Sequence, residues 1–157
     1  MPDHDTDVSQ RTARILAAFA DVEAPLIEIL HGVQREFGCV PQAALKVVAE
    51  ALNLSRAEVH GVASFYHDFR EVPAGRHVLK ICRAEACQSM GGEALAREAA
   101  QSLGVAFGGT DTHGTVTLEA VYCLGQCACA PAAMLDGRVV GRLDRSRLES
   151  LIAECRQ

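Results

Sequence analysis

The apolar residues of this chain change period once, at Val72-Pro73-Ala74-Gly75, and that change limits the fold more than any other feature. Before it, apolar residues recur at helical spacing. After it, short apolar runs separated by turn residues point to strands. The change predicts two domains, 1–73 and 74–157, and a chain of 157 residues is long enough for both.

The first half reads as a small helical bundle. Ser9 is placed to cap a short helix carrying Ile15, Leu16 and Phe19. Pro25 suits a first helical turn, and Leu26, Ile29, Leu30, Val33 and Phe37 follow on one face, with Gly38 as the stop. Pro41 opens a third helix with Leu45, Val48 and Leu52 inward. Ser55-Arg56-Ala57-Glu58 matches a capping box ahead of Val59, Val62, Ala63 and Tyr66.

Beyond the boundary, His77–Cys82 and Val116–Tyr122 read as strands around a helix over Gly92–Leu103, stopped by Gly104. Asp136-Gly137 between Ala132–Leu135 and Arg138–Gly141 is a two-residue hairpin signal. Asp144 can cap a last helix bearing Leu148, Leu151, Ile152 and Cys155. Gly104–Gly114 lacks the spacing and the lysine of a P-loop and reads as a connecting loop. The order is β-α-β-β-α, with a parallel strand pair, an antiparallel hairpin edge and a covering helix. The fold class is therefore α+β: an N-terminal helical bundle, then a domain of thioredoxin-like layout.

Seven cysteines in a chain without a secretion signal argue for metal or redox chemistry over a disulfide framework. Cys82 ends the first strand and Cys87 follows it in a C-x4-C pair. Cys123 ends the second long strand and Cys127 follows it in a C-x3-C pair. Loops at the carboxyl ends of neighbouring parallel strands lie side by side, where open α/β sheets place their sites. A [2Fe–2S] cluster takes four thiolates, two on each iron, and two such loops supply them. Zinc also takes four thiolates, usually on tighter C-x2-C knuckles, so it stays open as the second reading. A thioredoxin-type dithiol wants C-x-x-C, which is absent. Gly91-Gly92 and Gly125 allow close backbone approach, the start of the following helix can aim amides at a cluster, and Ala128, Ala130 and Pro131 make a dry wall.

Cys129 can in principle replace Cys127, although the C-x3-C spacing favours Cys127. Cys39 and Cys155 read as packed thiols. His60 and His67 lie seven apart on one predicted helix and so share a face, a spacing better suited to a subunit contact than to a metal. His31, His77 and His113 have no convergent partner in sequence. Arg83 and Glu85 lie inside the first cysteine loop and either tune a cluster, meet a partner or are plain surface charge.

The region Pro25–Glu154 resembles the thioredoxin-like [2Fe–2S] subunits of the respiratory complex I 24-kilodalton type. The likeness rests on the two cysteine pairs, on Val59-His60-Gly61-Val62-Ala63-Ser64-Phe65-Tyr66, and on Cys123-Leu124-Gly125-Gln126-Cys127 followed by Ala130-Pro131. Within that group, Phe65-Tyr66-His67-Asp68-Phe69-Arg70 and Cys82–Gly91 look most like the gamma subunit of the molybdenum-containing, NAD-dependent formate dehydrogenase. The resemblance implies one [2Fe–2S] cluster on Cys82, Cys87, Cys123 and Cys127 and no substrate site in this chain. It implies a partner flavin subunit with FMN, NAD and its own iron–sulfur cluster, which the His60 and His67 face is suited to contact, and a separate formate-oxidising subunit with a molybdenum cofactor. Equivalent subunits serve quinone reductases and NAD-linked hydrogenases.

Composition narrows the remaining classes. A formal net charge of −5 and the absence of Trp argue against a nucleic-acid binder. No apolar run reaches membrane-spanning length. The acidic start, Met1-Pro2-Asp3-His4-Asp5, lacks signal-peptide character. The expectation is a soluble cytoplasmic protein.

Overall fold

The structure, a computed structural model, describes residues 4–156. The chain divides into two compact units, Met1–Pro73 and Ala74–Gln157.

The first unit holds α1 (His4–Ala17), α2 (Leu26–Phe37), α3 (Gln42–Leu52) and α4 (Arg56–Phe65). Ser9 is not a cap. It lies inside α1, where its hydroxyl donates to the Asp5 carbonyl at 2.8 Å. The helix starts earlier because its buried stripe runs back through Thr12 and Val8, and Asp5 and Asp7 suit the positive end of the dipole. Phe19 falls in the turn after α1 but still packs on the core. Pro25 precedes α2, and Gly38 ends it in the left-handed conformation, its N–H donating to the Gln34 carbonyl. Ser55 and Glu58 form the reciprocal capping box of α4. Ile29, Leu30, Val33, Val48 and Val59 fill the core.

The second unit runs β1 (His77–Cys82), α5 (Glu85–Ser89), α6 (Gly92–Leu103), β2 (Gly109–Thr110), β3 (Val116–Val121), a 3-10 turn (Cys127–Cys129), β4 (Ala133–Leu135), β5 (Arg138–Val140) and α7 (Arg145–Cys155). The sheet order is β2-β3-β1-β4-β5. The β1–β3 pair is parallel, with Cys82 opposite Val121, and the other pairs are antiparallel. Asp136 and Gly137 both take positive φ, as a type I′ hairpin requires. The Asp144 carboxylate accepts from the Arg147 N–H at 2.8 Å and caps α7, which buries Leu148, Leu151, Ile152 and Cys155. These side chains close one core with Leu79, Ile81, Leu118 and Ala99.

Two elements go beyond the sequence expectation. The first cysteine loop contains α5, and the expected connecting loop at Gly104–Gly114 contains β2. A two-residue strand has no period to read. It is fixed by pairing with β3, by a 2.8 Å bond between the Thr110 and Thr117 hydroxyls, and by Asp111, whose carboxylate accepts from the Thr115 and Val116 N–H groups. The architecture is the expected α+β, thioredoxin-like one. Among the described residues no helix is long and apolar enough to cross a membrane.

Candidate functional site

The parallel pairing of β1 and β3 decides where the cysteines meet. Cys82 is the last residue of β1, and Cys123 stands just past the end of β3. The β1–β3 ladder continues one residue past β1, where Arg83 N–H donates to the Val121 carbonyl at 2.8 Å, and on the other edge of β1 Cys82 N–H donates to the Ala132 carbonyl, just ahead of β4, at 3.0 Å. Both cysteine loops therefore start from one hydrogen-bonded platform.

The two pairs differ in burial. Cys82 and Cys87 are 2% and 3% exposed and pack with Ala132, Ala84, Val121, Leu124 and Ala130 in a small apolar cluster. Cys123 and Cys127 face solvent with their Sγ atoms 3.7 Å apart. Cys123 holds φ at +112°, a region that a side chain other than glycine adopts at a cost. Gly125, also at positive φ, donates its N–H to Cys123 Sγ at 3.3 Å.

The thiols influence one another as a set. Burial pushes the Cys82 thiol up, but N–H groups of Ala84, Cys123 and Leu124 and a hydrogen bond with Cys87 outweigh it and leave Cys82 below the ordinary thiol range. Burial first, then the hydrogen bond with Cys82, holds the Cys87 thiol above that range, with the charges of Cys82 and Cys127 adding to it. Cys127 is raised by its hydrogen bond with Cys123 and then by the Cys123 charge. Four thiolates here repel unless a cationic centre compensates them, and backbone amides aimed at sulfur are what an iron–sulfur site uses. Among the described residues no three His, Cys, Asp or Glu side chains converge as on a single metal ion.

Other candidates fall elsewhere. Cys129 lies in the same 3-10 turn as Cys127 and is half-buried beside Gly141. Cys39 is buried, and burial raises its thiol. Cys155 is fully buried, with a thiol pushed up to about 11, chiefly by burial. His60 and His67 do not share a helical face, because α4 ends at Phe65. Both line a cleft of about 340 Å³ within the first unit, with Ser64 and Arg70. His31 packs on the Phe69 ring. His77 does have a partner: its Nδ1 lies 2.7 Å from Asp136 Oδ2. Arg83 is tied to Glu93 on α6, which gives it a structural role. The first turn of α6 packs its Gly92 against the Cys87 carbonyl, where a Cβ would stand 2.5 Å from the oxygen. The sulfur-directed amides of Ala84, Cys123, Leu124 and Ala132 were not foreseen, since a backbone donor leaves no signature in sequence.

The profile of the thioredoxin-like [2Fe-2S] ferredoxin family matches residues 12–156. The chain belongs to that family. It is 38% identical to the E-type subunit of the NADH-quinone oxidoreductase of Pseudomonas aeruginosa over 118 residues, 75% of this chain and 71% of the relative. It is 27% identical to the NADP-reducing hydrogenase subunit HndA of Solidesulfovibrio fructosivorans, over 92% of this chain and 85% of the relative. A solved NAD+-reducing [NiFe]-hydrogenase superposes with a TM-score of 0.73 at 26% identity, covering 84% of this chain and 23% of that one. This ferredoxin-family chain thus spans about a quarter of the hydrogenase chain it matches in structure. The four thiols and their amide donors fit the cluster for which the family is described.

Proposed function

We propose that this chain is the electron-transfer subunit of a cytoplasmic, NAD-linked oxidoreductase complex, with one [2Fe–2S] cluster held by Cys82, Cys87, Cys123 and Cys127. The observation that carries this reading is the arrangement of two thiol pairs at adjacent parallel strand ends, with N–H groups directed at Cys82 and Cys123. Such a cluster supplies one-electron chemistry beside a two-electron carrier. The residues divide the work. Cys82 and Cys87, with their alanine wall, keep water from one side, while the exposed Cys123 and Cys127 leave the other side open to a redox partner. The amide donors stabilise the more negative state of the site. The four proposed ligands fall in 74–157, which we take as the cluster domain, with 1–73 as the helical one.

Relatives named as subunits of NADH-quinone oxidoreductase and of NAD- or NADP-reducing hydrogenase support an NAD-linked complex, and the family resemblance implies a neighbour that binds FMN and NAD. We further infer that the complex is an NAD-dependent formate dehydrogenase with a molybdenum-containing, formate-oxidising subunit. The support is the likeness of Phe65–Arg70 and Cys82–Gly91 to the gamma subunit of that enzyme.

Anaerobic purification with iron and sulfide analysis tests the cluster. About two irons and two sulfides per chain, and a signal in electron paramagnetic resonance after reduction, are expected. Serine at any one of the four cysteines should remove or alter both. One zinc and no sulfide overturns the reading. Co-purification from the native host tests the complex: a formate-oxidising partner is expected, and a hydrogenase or quinone-reductase partner removes the formate assignment alone.

A further inference from the structure

Cys129 is a cysteine beside a ligand pair that the cluster does not need, and its surroundings give it a different task. The Cys127–Cys129 turn is clamped from the segment linking β5 to α7. Arg142 N–H donates to the Cys129 carbonyl, and Leu143 N–H donates to the Pro131 carbonyl at 2.8 Å. At Gly141 the two segments touch so closely that a Cβ there would stand 2.9 Å from Cys129 Cβ and 3.0 Å from the Cys129 oxygen. The clamp is itself anchored. Leu143 is buried in the main core, the Arg147 side chain donates to the Gly141 carbonyl at 2.8 Å, and Arg142 accepts a φ of +51° to make the bend. The turn is stiff from within, since Cys129 N–H donates to the Gln126 carbonyl at 2.8 Å and Ala130 N–H to the Cys127 carbonyl at 3.3 Å. A displacement of Cys129 is therefore transmitted to Cys127.

We propose that Gly141 is a positioning residue for the second thiol pair: its missing side chain lets the β5–α7 segment seat against Cys129 and so fixes where the Cys127 sulfur stands. Cys129 serves through its Cβ and its carbonyl, and its thiol holds no iron. This rests on the proposed cluster. A methyl group at 141 cannot be absorbed by a flexible side chain tip, because both atoms it meets belong to the backbone or are directly bonded to it.

The test uses the full chain loaded with ferrous iron and sulfide. Gly141→Ala should keep its far-ultraviolet circular dichroism but shift the g-values of the reduced cluster, or shorten its half-life against a chelator at least threefold. Gly137→Ala is the control. Gly137 sits at positive φ in the β4–β5 turn with open space around it, so alanine there strains the fold without touching the cysteine loops. It should lower thermal stability and leave the g-values and the chelator half-life unchanged. If Gly141→Ala does not fold, the Cys129 pair decides. Cys129→Ser keeps the Cβ and should match the wild type in g-values and half-life, whereas Cys129→Gly keeps the carbonyl but loses the Cβ part of the contact and should shorten the half-life. Gly141→Ala behaving like Gly137→Ala overturns the proposal, and so does a spectral change in Cys129→Ser, which would make Cys129 a ligand. A wild-type chain that binds no iron refutes the proposed function instead, and the two failures are thereby distinct.

Discussion

Arg83 lays its guanidinium 5.1 Å from the centre of the Phe107 ring while one of its nitrogens donates to both carboxylate oxygens of Glu93 at 3.0 Å. The residue after Cys82 is thus held from two sides, by the stretch after α6 and by the first turn of α6. Arg83 Nε also donates to Glu93 Oε2 at 3.3 Å, and a lysine ammonium supplies neither that second donor of the fork nor a planar face for the ring. Removing a partly exposed stack and ion pair costs about 1 kcal/mol. Arg83→Ala should lower the unfolding free energy from urea titration by that amount, and Arg83→Lys should recover less than half of it. A lysine variant equal to the wild type would show that only the charge matters.

The His77–Asp136 contact joins the first residue of β1 to the hairpin turn. Burial pushes the Asp136 carboxyl up, but the His77 ring and the Val78 N–H outweigh it and hold the group below its ordinary value. A folded-state pKa that is depressed adds stability above the unfolded value of about 4, and that stability is lost as pH falls through the folded value. Asp136→Asn should therefore melt below the wild type at pH 6, and the gap should close below about pH 4. The gap should be small, since 44% of the side chain surface is in water. Asp111 and Glu58 are also held low by backbone N–H groups, so the wild type weakens in acid even without Asp136. Only the difference between the two melting curves isolates the pair. A gap that persists unchanged at pH 3 would show that packing or the hydrogen bond, and not the charge, carries the effect.

What could be read from sequence was local. Ser55 with Glu58, Gly38, Asp136 with Gly137, and Asp144 each act within a few residues, so their caps and turn appear as expected. Ser9 misled because serine bonds equally well to a carbonyl one turn back, and the buried Val8 and Thr12 carry the helix past it. The His60–His67 face failed because the backbone leaves the helix at Tyr66, which no periodicity announces. In the site, thiols and their spacing were legible, and strand ends located them. The amides directed at Cys82, the strained φ of Cys123 and the Gly141 contact were not. Backbone groups are the same in every residue, and those contacts join segments whose pairing only the fold determines.

The cysteines separate by environment, and a reagent should sort them. Cys123 and Cys127 are exposed, whereas Cys39 and Cys155 are buried. A thiol reacts as its thiolate, so a group that is both enclosed and raised in pKa is protected twice. Cys155 is raised to about 11, first by burial and then by the charges of Asp136 and Glu154. Brief iodoacetamide treatment at pH 8 followed by peptide mass spectrometry should label Cys123 and Cys127 first and leave Cys155 unmodified until urea unfolds the second unit. Loading the chain with iron and sulfide beforehand should protect Cys123 and Cys127 despite their exposure, because a thiolate that holds iron is no longer a free nucleophile. Labelling of those two at the same rate with and without the cluster would exclude them as ligands.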